Sequence, residues 1–347
     1  MHPSILAIGT STPKNRFSQQ QIYDLTASFS EFYRSDRVRD IFMNSDIDYR
    51  SFMFDIGEFR PDESRDALHE RFLKGSMEIG SAAIRKCLEG ANLDGSEIDC
   101  FVVVSCTGYL CPGLSSLLAR ELGLRTDLQR ADILGMGCAG AMPGLQRAHD
   151  FVRAYPERKA LLLAVEICSA CHYFDESLET VVGNAICADG AAAAVIGMSD
   201  SPAVPKIEGF DTLLEPSLIG AVGLEHRDGR LRIILSKDIR QTAGVLADRL
   251  VGSLLGRHRL AKKDIRHWIF HSGGRKVIDS IRDEIGLADE DLRHSAFVLR
   301  NFGNMSSPTV LFVLAEAIAS ARPRPGDLGV ALALGPGLAV EAALLSW

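Results

Sequence analysis

Short, almost wholly apolar runs alternate along the chain with segments whose apolar residues recur at helical spacing. Such runs predict buried β-strands, and a face repeating every three to four residues predicts an amphipathic helix. Ser18 and Gln21 have the spacing of a capping box at a helix start. The pattern predicts an α/β protein with layered helices and mostly buried sheets. The runs are 100–105, 160–165, 191–198 and 267–272, and one helical face carries Ile79, Ala83, Ile84, Cys87 and Leu88.

The sequence repeats itself at an offset of 167 residues. Leu93 and Ile98 precede the run 100–105, as Leu260 and Ile265 precede 267–272. At the same offset, 160–165 corresponds to 327–332. Three matches at one offset predict a duplicated domain whose halves are related by pseudo-twofold symmetry.

The Pro- and Ser-containing segment 199–205 is the predicted boundary between the halves. We therefore expect an N-terminal half over 1–200 and a C-terminal half over 201–347. The first half runs through residues 166–189 before its last strand, whereas the second turns back at once through Gly335-Pro336-Gly337. An insertion on a shared scaffold is a common way to build a pocket, so 166–189 is expected to line one.

Composition and charge exclude several classes of function. The formal net charge of -7 argues against a nucleic-acid partner, which requires a basic face. The apolar C-terminal runs are interrupted by a tight turn and predict strands rather than a membrane span. The first residues lack the basic region of a signal peptide, so the cytoplasm is the expected compartment. The eight cysteines are then expected to be reduced thiols, with no metal site among them.

Cys138 is the strongest candidate for a catalytic residue. A predicted strand leads through Gly135-Met136-Gly137 to Cys138, and a helical pattern follows. A thiol at a helix start is predicted to ionise readily, because unpaired backbone N–H groups favour the thiolate. On residue type alone, a buried structural cysteine is the alternative interpretation.

Two further residues could complete a site for acyl chemistry. His271 ends a predicted strand and precedes a Gly-Gly turn, and Asn304 lies just before a predicted helix. By the repeat offset, Cys138 corresponds to Met305, so pseudo-symmetry would bring both helix starts to the centre of the molecule. Alone, His271 could be a core histidine and Asn304 a helix cap. Together with Cys138, they predict hydrogen-bond donors around a thioester.

Four segments carry a resemblance to a known family: Gly135-Met136-Gly137-Cys138, His271-Ser272-Gly273-Gly274, Gly303-Asn304-Met305-Ser306-Ser307 and Leu334-Gly335-Pro336-Gly337. They resemble the signature segments of type III polyketide synthases, the chalcone-synthase-like branch of the thiolase superfamily. The likeness covers essentially the whole chain. Segments 42–50, 267–279 and 324–327 and the final residues also resemble bacterial 3,5-dihydroxyphenylacetyl-CoA synthases.

The resemblance implies a thiolase-like α-β-α-β-α fold, a homodimer and a condensing activity. Cys138 would carry the acyl chain as a thioester, and malonyl-CoA and acyl-CoA would be the substrates. His271 and Asn304 would stabilise the enolate formed when malonyl-CoA loses carbon dioxide. His271 would also favour the Cys138 thiolate. This chemistry requires neither a metal nor a redox cofactor.

The resemblance also implies positions for substrate contacts. The expected CoA-binding residues are Arg50, Gly273, Gly274, Arg275 and Lys276, although each cation could instead be an ordinary solvated charge. Cys187 stands where most members have a gatekeeper Phe, and Ile233 would replace a second gate residue. The expected pocket residues are Cys106, Cys168, Cys171, Cys187, Ile233, Ser306, Gly335 and Pro336.

Three other interpretations compete with this one. A ketoacyl-acyl-carrier-protein synthase of the III type shares the Cys, His and Asn chemistry. A papain-like hydrolase uses the same three residues in the same order, but its nucleophile lies near the mature N-terminus. An inactive homologue acting as a structural partner is the non-enzymatic alternative.

Overall fold

The computed structural model describes residues 1–236 and 239–347. The strands are β1 (His2–Ser11), β2 (Arg16–Ser18), β3 (Tyr49–Ser51), β4 (Cys100–Ser105), β5 (Gln129–Leu134), β6 (Ala160–Glu166), β7 (Gly190–Ser199), β8 (Lys206–Leu214), β9 (Val222–Arg227), β10 (Arg230–Leu235), β11 (His267–Phe270), β12 (Leu328–Gly335) and β13 (Ala339–Ser346). The helices are α1 (Gln19–Ala27), α2 (Glu31–Arg34), α3 (Asp36–Met43), α4 (Arg65–Ala91), α5 (Leu114–Leu122), α6 (Ala141–Ala154), α7 (Leu178–Ile186), α8 (Ile239–Arg257), α9 (Arg275–Ile285), α10 (Arg293–Phe302) and α11 (Thr309–Glu316).

The central sheet has the order β11-β12-β13-β8-β1-β7-β6-β4-β5. Apart from the edge strand β5, it contains the same arrangement of four strands twice. β4 and β6 are parallel neighbours, as are β11 and β12. Antiparallel partners then follow in both halves, β7 and β1 in one, β13 and β8 in the other. The two runs meet at a single pair, Ser4 with Lys206.

This topology is what the sequence repeat predicted. β11 begins at His267, 167 positions after β4 begins at Cys100. The predicted strand 267–272 is shorter in the structure, because the amide of Gly273 turns back to the carbonyl oxygen of His271. The loop 199–205 lies between β7 and β8, and the domain boundary there remains a prediction.

Alternate strand residues face different helices, as the period of two in a strand requires. Val102 and Val104 of β4 pack in a central core with α6 and α11, whereas Phe101 and Val103 pack against α4 and α5 on the outside. In the second half, Ile269 joins the central core, while its neighbours on β11 face α8 and α9. The result is five layers, α-β-α-β-α, so the predicted fold class is confirmed.

Local signals placed one helix start and the middle of a second helix. The capping box at Ser18 is present, with Gln21 N donating to Ser18 Oγ and Ser18 N donating to Gln21 Oε1. The predicted helical face 79–88 belongs to the longer helix α4, which Ser64 caps. In the described part of the chain, no helix is long and apolar enough to cross a membrane.

His172 lies without hydrogen bonds inside a cage of phenylalanines. Its ring is 6% exposed, and neither ring nitrogen has a partner among the described residues. The surrounding rings are Phe52, Phe54, Phe59 and Phe174, with centroids 5.4 to 6.1 Å away. Burial, together with the positive charges of Arg50 and Arg71, lowers the pKa of His172 to about 3.

This environment predicts acid sensitivity. Between pH 6.5 and pH 3, His172 binds a proton in the unfolded chain but stays neutral in the folded chain. The free energy of unfolding therefore decreases as the pH falls from about 6.5 to about 3. The loss approaches about 1.4 kcal/mol per pH unit from this group. His172→Phe should flatten the pH dependence of urea unfolding between pH 6.5 and 4.5, even if its absolute stability changes. The exposed control His226→Phe should not. An unchanged slope in His172→Phe would contradict the assignment.

Candidate active site

The nucleophile turn lies between β5 and α6. After β5 ends at Leu134, Gly135 and Gly137 adopt φ values of 77° and 51°, which favour glycine. Cys138 lies in the 3₁₀ turn Gly137–Ala139, directly before α6 begins. The strand–turn–helix arrangement predicted around Cys138 is therefore present, and the residue is half-buried.

The turn that follows β12 packs against the nucleophile turn. A β-carbon on Gly137 would lie 2.3 Å from the ring of Pro336, and one on Gly335 would lie 2.7 Å from Cβ of Ala139. Such contacts leave no room for a side chain at either glycine. Gly335 and Pro336, predicted as pocket residues, thus brace the nucleophile turn.

Asn304 is fixed by backbone and side-chain bonds together. Its amide donates to the carbonyl of Ile186 at 2.8 Å, and its carbonyl accepts from the amide of Ala188 at 2.9 Å. Its Nδ2 donates to the carbonyl of Gly273 at 3.3 Å, while Oδ1 accepts from the amide of Ser306 at 2.8 Å. The side-chain amide therefore points to the turn that follows His271.

His271 directly follows β11, at the end of the predicted strand. Its backbone amide still pairs with Leu332 at 2.8 Å, and its side chain is buried. A β-carbon on Gly273 would lie 3.3 Å from Nε2, so the Gly-Gly turn curls closely around the ring. Among the described residues Nδ1 has no hydrogen-bond partner.

Ser306 connects the parts of the site. With φ of 60°, its hydroxyl reaches both the Cys138 thiol and the Cys106 thiol, the latter at 3.6 Å. A continuous set of contacts then runs from Cys138 through Ser306 and Asn304 to the turn that holds His271. The structure thus brings the three predicted catalytic residues to one place, from parts of the sequence that are far apart.

Burial sets the resting protonation of the site. It raises the pKa of Cys138 to about 12, and contact with Ser306 offsets this only in part. It lowers the pKa of His271 to about 4. Each group alone is therefore uncharged at pH 7. Desolvation thus opposes the thiolate expected from the helix start, and that expectation stays a prediction.

Glu166 is a site residue that the sequence analysis missed. Its side chain is fully buried at the end of β6 and accepts hydrogen bonds from five donors. Burial raises its pKa, and the hydroxyl of Ser307 opposes the shift. A carboxylate that ends a wholly apolar strand was the signal available in the sequence. The donors are the Ser105 hydroxyl, the Cys106 amide, the Thr107 amide and hydroxyl and the Ser307 hydroxyl.

The predicted pocket cysteines gather around this network. Cys106 faces Ser306, and the Cys171 thiol donates to the carbonyl of Thr107 at 3.4 Å. Cys168 forms a hydrogen bond to Cys187. Cys187 lies close enough to Cys138 for its negative charge to raise the pKa of Cys138. The insertion 166–189 therefore contributes side chains to the site.

Ile233 lies on the β9–β10 hairpin, beside α7. It is on β10 and packs against Gly183 of α7, where a β-carbon would be 2.9 Å from its Cδ1. Its contact with α7 connects the β9–β10 hairpin to the helix that ends just before Cys187.

Arg50 does not lie where a CoA phosphate could reach it. The side chain is 0% exposed, with Nε donating to Gln19 and Nη1 donating to the carbonyls of Asn184 and Cys187. The expectation that Arg50 contacts CoA is therefore wrong, because the chain folds α7 and the Cys187 loop over it.

The other predicted CoA contacts lie at the start of α9. Gly274, with φ of 140°, precedes the helix and carries no capping side chain. Arg275 is exposed and forms ion pairs with Asp46 at 3.1 Å and Asp279 at 3.6 Å. Lys276 is exposed and has no ion pair within the described ranges. The helix start therefore presents free amide groups and positive charge at the surface.

Comparisons with known proteins agree with this geometry. Residues 216–346 match the family described as chalcone and stilbene synthases, C-terminal domain, and residues 38–206 match FAE1/type III polyketide synthase-like protein. A 3,5-dihydroxyphenylacetyl-CoA synthase of Streptomyces toyocaensis is 35% identical, covering 99% of this chain and 90% of that protein. A 1,3,6,8-tetrahydroxynaphthalene synthase of Streptomyces peucetius subsp. caesius is 31% identical, covering 99% and 93%. The crystal structure of PKS-I from the brown alga Ectocarpus siliculosus superimposes with a TM-score of 0.92 at 29% identity, covering 99% and 98%.

Fold and site together define a condensing enzyme of the thiolase-like class. Within that class, the chain belongs to the type III polyketide synthases, acyltransferases that condense malonyl-CoA. The family expected from the sequence is confirmed. The ketoacyl-acyl-carrier-protein synthase, the papain-like hydrolase and the inactive homologue are not supported by these matches.

Proposed function

We propose that Cys138, His271 and Asn304 catalyse iterative decarboxylative condensation of malonyl-CoA onto an acyl starter. The observation that carries the proposal is the set of contacts from Cys138 through Ser306 and Asn304 to the His271 turn. It unites a half-buried cysteine with two side chains that can donate hydrogen bonds to a thioester oxygen.

The first half-reaction loads the acyl group. Since burial raises the pKa of the Cys138 thiol, the thiol needs a proton acceptor, and the neutral imidazole of His271 is the base in this network. The sulfur attacks the thioester carbonyl of acyl-CoA. The CoA thiolate leaves and takes the proton.

The second half-reaction extends the chain. The Nε2–H of His271 and the Nδ2–H of Asn304 donate to the thioester oxygen of malonyl-CoA. Loss of carbon dioxide leaves its electron pair as an enolate, which these donors stabilise. The enolate carbon attacks the Cys138 thioester, and the sulfur leaves. The product is a lengthened CoA thioester that reloads Cys138. No cofactor takes part, since the thioester itself stabilises the carbanion.

The start of α9 supports a CoA position. Gly273 and Gly274 leave the backbone open, and Arg275 and Lys276 place positive charge beside the turn that contacts His271. A phosphate at this helix start would satisfy unpaired amides. The pantetheine arm would then extend towards Asn304, whose Nδ2 already contacts the same turn.

The product class follows from the relatives. Synthases of 3,5-dihydroxyphenylacetyl-CoA, tetrahydroxynaphthalene and α-pyrones are among them. This chain is proposed to use malonyl-CoA as extender and to release a cyclised aromatic or pyrone product. All eight cysteines are free, which fits a reducing, cytoplasmic compartment.

A homodimer is proposed along β5. This strand is the sheet edge, and its residues are largely exposed, whereas its parallel neighbour β4 is fully buried. Leu134 at the end of β5 is 46% exposed, and Tyr109 in the neighbouring loop is 68% exposed. An unpaired edge beside exposed apolar side chains favours pairing with a second copy.

The first prediction separates decarboxylation from condensation. Cys138→Ala should abolish polyketide formation while still converting malonyl-CoA to acetyl-CoA, because the enolate donors remain. Asn304→Asp should lower decarboxylation by about 100-fold or more, since it removes a donor and adds negative charge near the enolate. Asn301→Asp, at the exposed end of α10, is the matched control. Decarboxylation by Asn304→Asp at the wild-type rate would remove Asn304 from the site.

The second prediction concerns the starter. Mass spectrometry should detect product from malonyl-CoA alone and additional products with medium or long acyl-CoA starters. A thiol at position 187 leaves more space than a Phe ring would. Cys187→Phe should therefore suppress long starters more than malonyl-CoA, while Cys187→Ser should preserve the preference. Equal loss with all starters would show that Cys187 is no gate.

The third prediction tests the dimer. Analytical ultracentrifugation should find a dimer at micromolar concentration. Leu134→Arg should raise the dimer dissociation constant by at least tenfold, because it places a charge in the apolar contact. Leu214→Arg changes a similarly exposed leucine on β8 and should have no effect. A monomeric wild-type protein, or equal effects of both variants, would contradict the β5 interface.

A further inference from the structure

Arg50 is a buried cation without a carboxylate partner in an ion pair, as far as the structure describes the chain. Burial lowers its pKa only to about 9, so it keeps its charge at neutral pH. Its Nη2 has no hydrogen-bond partner among residues 1–236 and 239–347. Such a charge is costly unless an anion lies nearby. The ionisable groups around it are the thiols of Cys187 and Cys168 and the carboxyl group of Asp189.

Asp189 holds the two thiol segments together. Its carboxylate accepts from the amide of Ser169 at 2.8 Å, from the Ser169 hydroxyl at 2.6 Å and from the amide of Met53 at 2.7 Å. Residues 168–169 are therefore fixed beside residues 187–189. Arg50 adds a second link through the carbonyl of Cys187, at 2.6 Å. The oxygens of Asp189 are thus bonded to Ser169 and Met53 and not to Arg50. The thiols of Cys168 and Cys187 are the other ionisable neighbours of the guanidinium group.

The two thiols are unequal. Cys168 is buried and donates a hydrogen bond to Cys187, which is partly accessible. That hydrogen bond lowers the pKa of Cys187, and the positive charge of Arg50 lowers it too. The same bond and burial raise the pKa of Cys168. Cys187 is the more accessible residue of the pair, and Arg50 is bound to its carbonyl, so Cys187 is assigned as the nucleophile and Cys168 as its partner.

The backbone connects this pair to the active site. Cys187 forms a parallel bridge with Asn304, whose amide and carbonyl bind the residues on either side of Cys187. A movement of Cys187 is thereby transmitted to the residue whose side chain contacts the His271 turn.

We propose that Cys168 and Cys187 are an oxidisable thiol pair, which peroxides convert reversibly to a disulfide and which Asn304 couples to the condensing site. The Cys187 thiolate attacks one peroxide oxygen, the O–O bond breaks, and hydroxide leaves, giving a sulfenic acid. The sulfur of Cys168 then attacks the Cys187 sulfur, and water leaves with the Cys168 proton. The net change is two thiols and hydrogen peroxide to one disulfide and two waters.

Formation of the S–S bond shortens the contact between the sulfurs by on the order of 1–2 Å. Because Cys187 is bridged to Asn304, a shift of Cys187 towards Cys168 would displace Asn304. The coupling to activity rests on the proposed role of Asn304 in decarboxylation, whereas the disulfide does not.

The site itself is tested by mapping disulfides in Cys138→Ala, in which the nucleophile cannot compete for oxidant. The reduced protein is treated with stoichiometric hydrogen peroxide, blocked with iodoacetamide and cut after glutamate. Cleavage at Glu166, Glu176 and Glu179 separates the peptide with Cys168 and Cys171 from that with Cys187. Mass spectrometry should find the two peptides linked, and dithiothreitol should release them.

Two substitutions identify the partner of Cys187. The link should vanish in Cys168→Ser and persist in Cys171→Ser, because the Cys171 thiol points to the carbonyl of Thr107 instead. Loss in Cys171→Ser with retention in Cys168→Ser would overturn the pairing. Over-oxidation of Cys187 with Cys168 still free would overturn the proposal as well. Neither result depends on polyketide synthesis.

Arg50→Gln tests the role of the cation. It keeps hydrogen-bond donors but removes the charge, so oxidation of Cys187 at pH 7 should slow by at least fivefold. An unchanged rate would remove Arg50 from the proposal.

Malonyl-CoA decarboxylation by Cys138→Ala reports the coupling. It should fall at least fivefold on oxidation and recover with dithiothreitol, while Cys168→Ser in the same background should be insensitive. A disulfide without any change in rate would overturn the coupling through Asn304. Absence of decarboxylation in the reduced enzyme would instead point to failure of the proposed function.

Discussion

The buried carboxylate of Glu166 is the interaction on which the arrangement of the site depends. It ends β6 inside the protein, where an unpaired charge or unsatisfied oxygen would cost several kcal/mol. Donors from the end of β4 and from the Ser307 loop meet that requirement. Because these two segments belong to opposite halves of the fold, their shared acceptor fixes the loops at the centre. Ser306, next to Ser307, is thereby held against Cys138.

The two halves use one topology for different purposes. In the first, β6 is followed by a long insertion that supplies Cys168, Cys171 and Cys187. In the second, β12 turns back at once through Gly335 and Pro336, and this compact turn packs under Gly137. Duplication therefore supplied two equivalent sheet ends, one extended by the segment that carries these cysteines and the other kept short as a support. The catalytic groups lie where these unlike ends meet.

Burial governs the chemistry of this centre. It favours the neutral forms of Cys138 and His271, so charge develops only as protons move during reaction. The same interior holds Arg50, which keeps its positive charge although it is buried. That charge interacts with the thiols of Cys168 and Cys187. Two cysteines of the site thus differ in environment: burial raises the pKa of Cys138, whereas the Cys168 thiol and the charge of Arg50 lower that of Cys187.

The sequence by itself determined the layered fold and the identity of the three candidate catalytic residues. Apolar runs and helical faces are local patterns that predict single strands and helices. The repeat at an offset of 167 residues added that the two halves share one topology, which local patterns do not reveal. Cys138, His271 and Asn304 were recognisable because each ends or begins an element beside glycines. Long-range packing decided the rest. Arg50 had the sequence context of a surface cation, yet Asn184 and Cys187, 134 and 137 positions away, close over it. The protonation of Cys138, the role of Glu166 and the support from Pro336 likewise depend on which distant segments exclude water, and only the tertiary structure sets that.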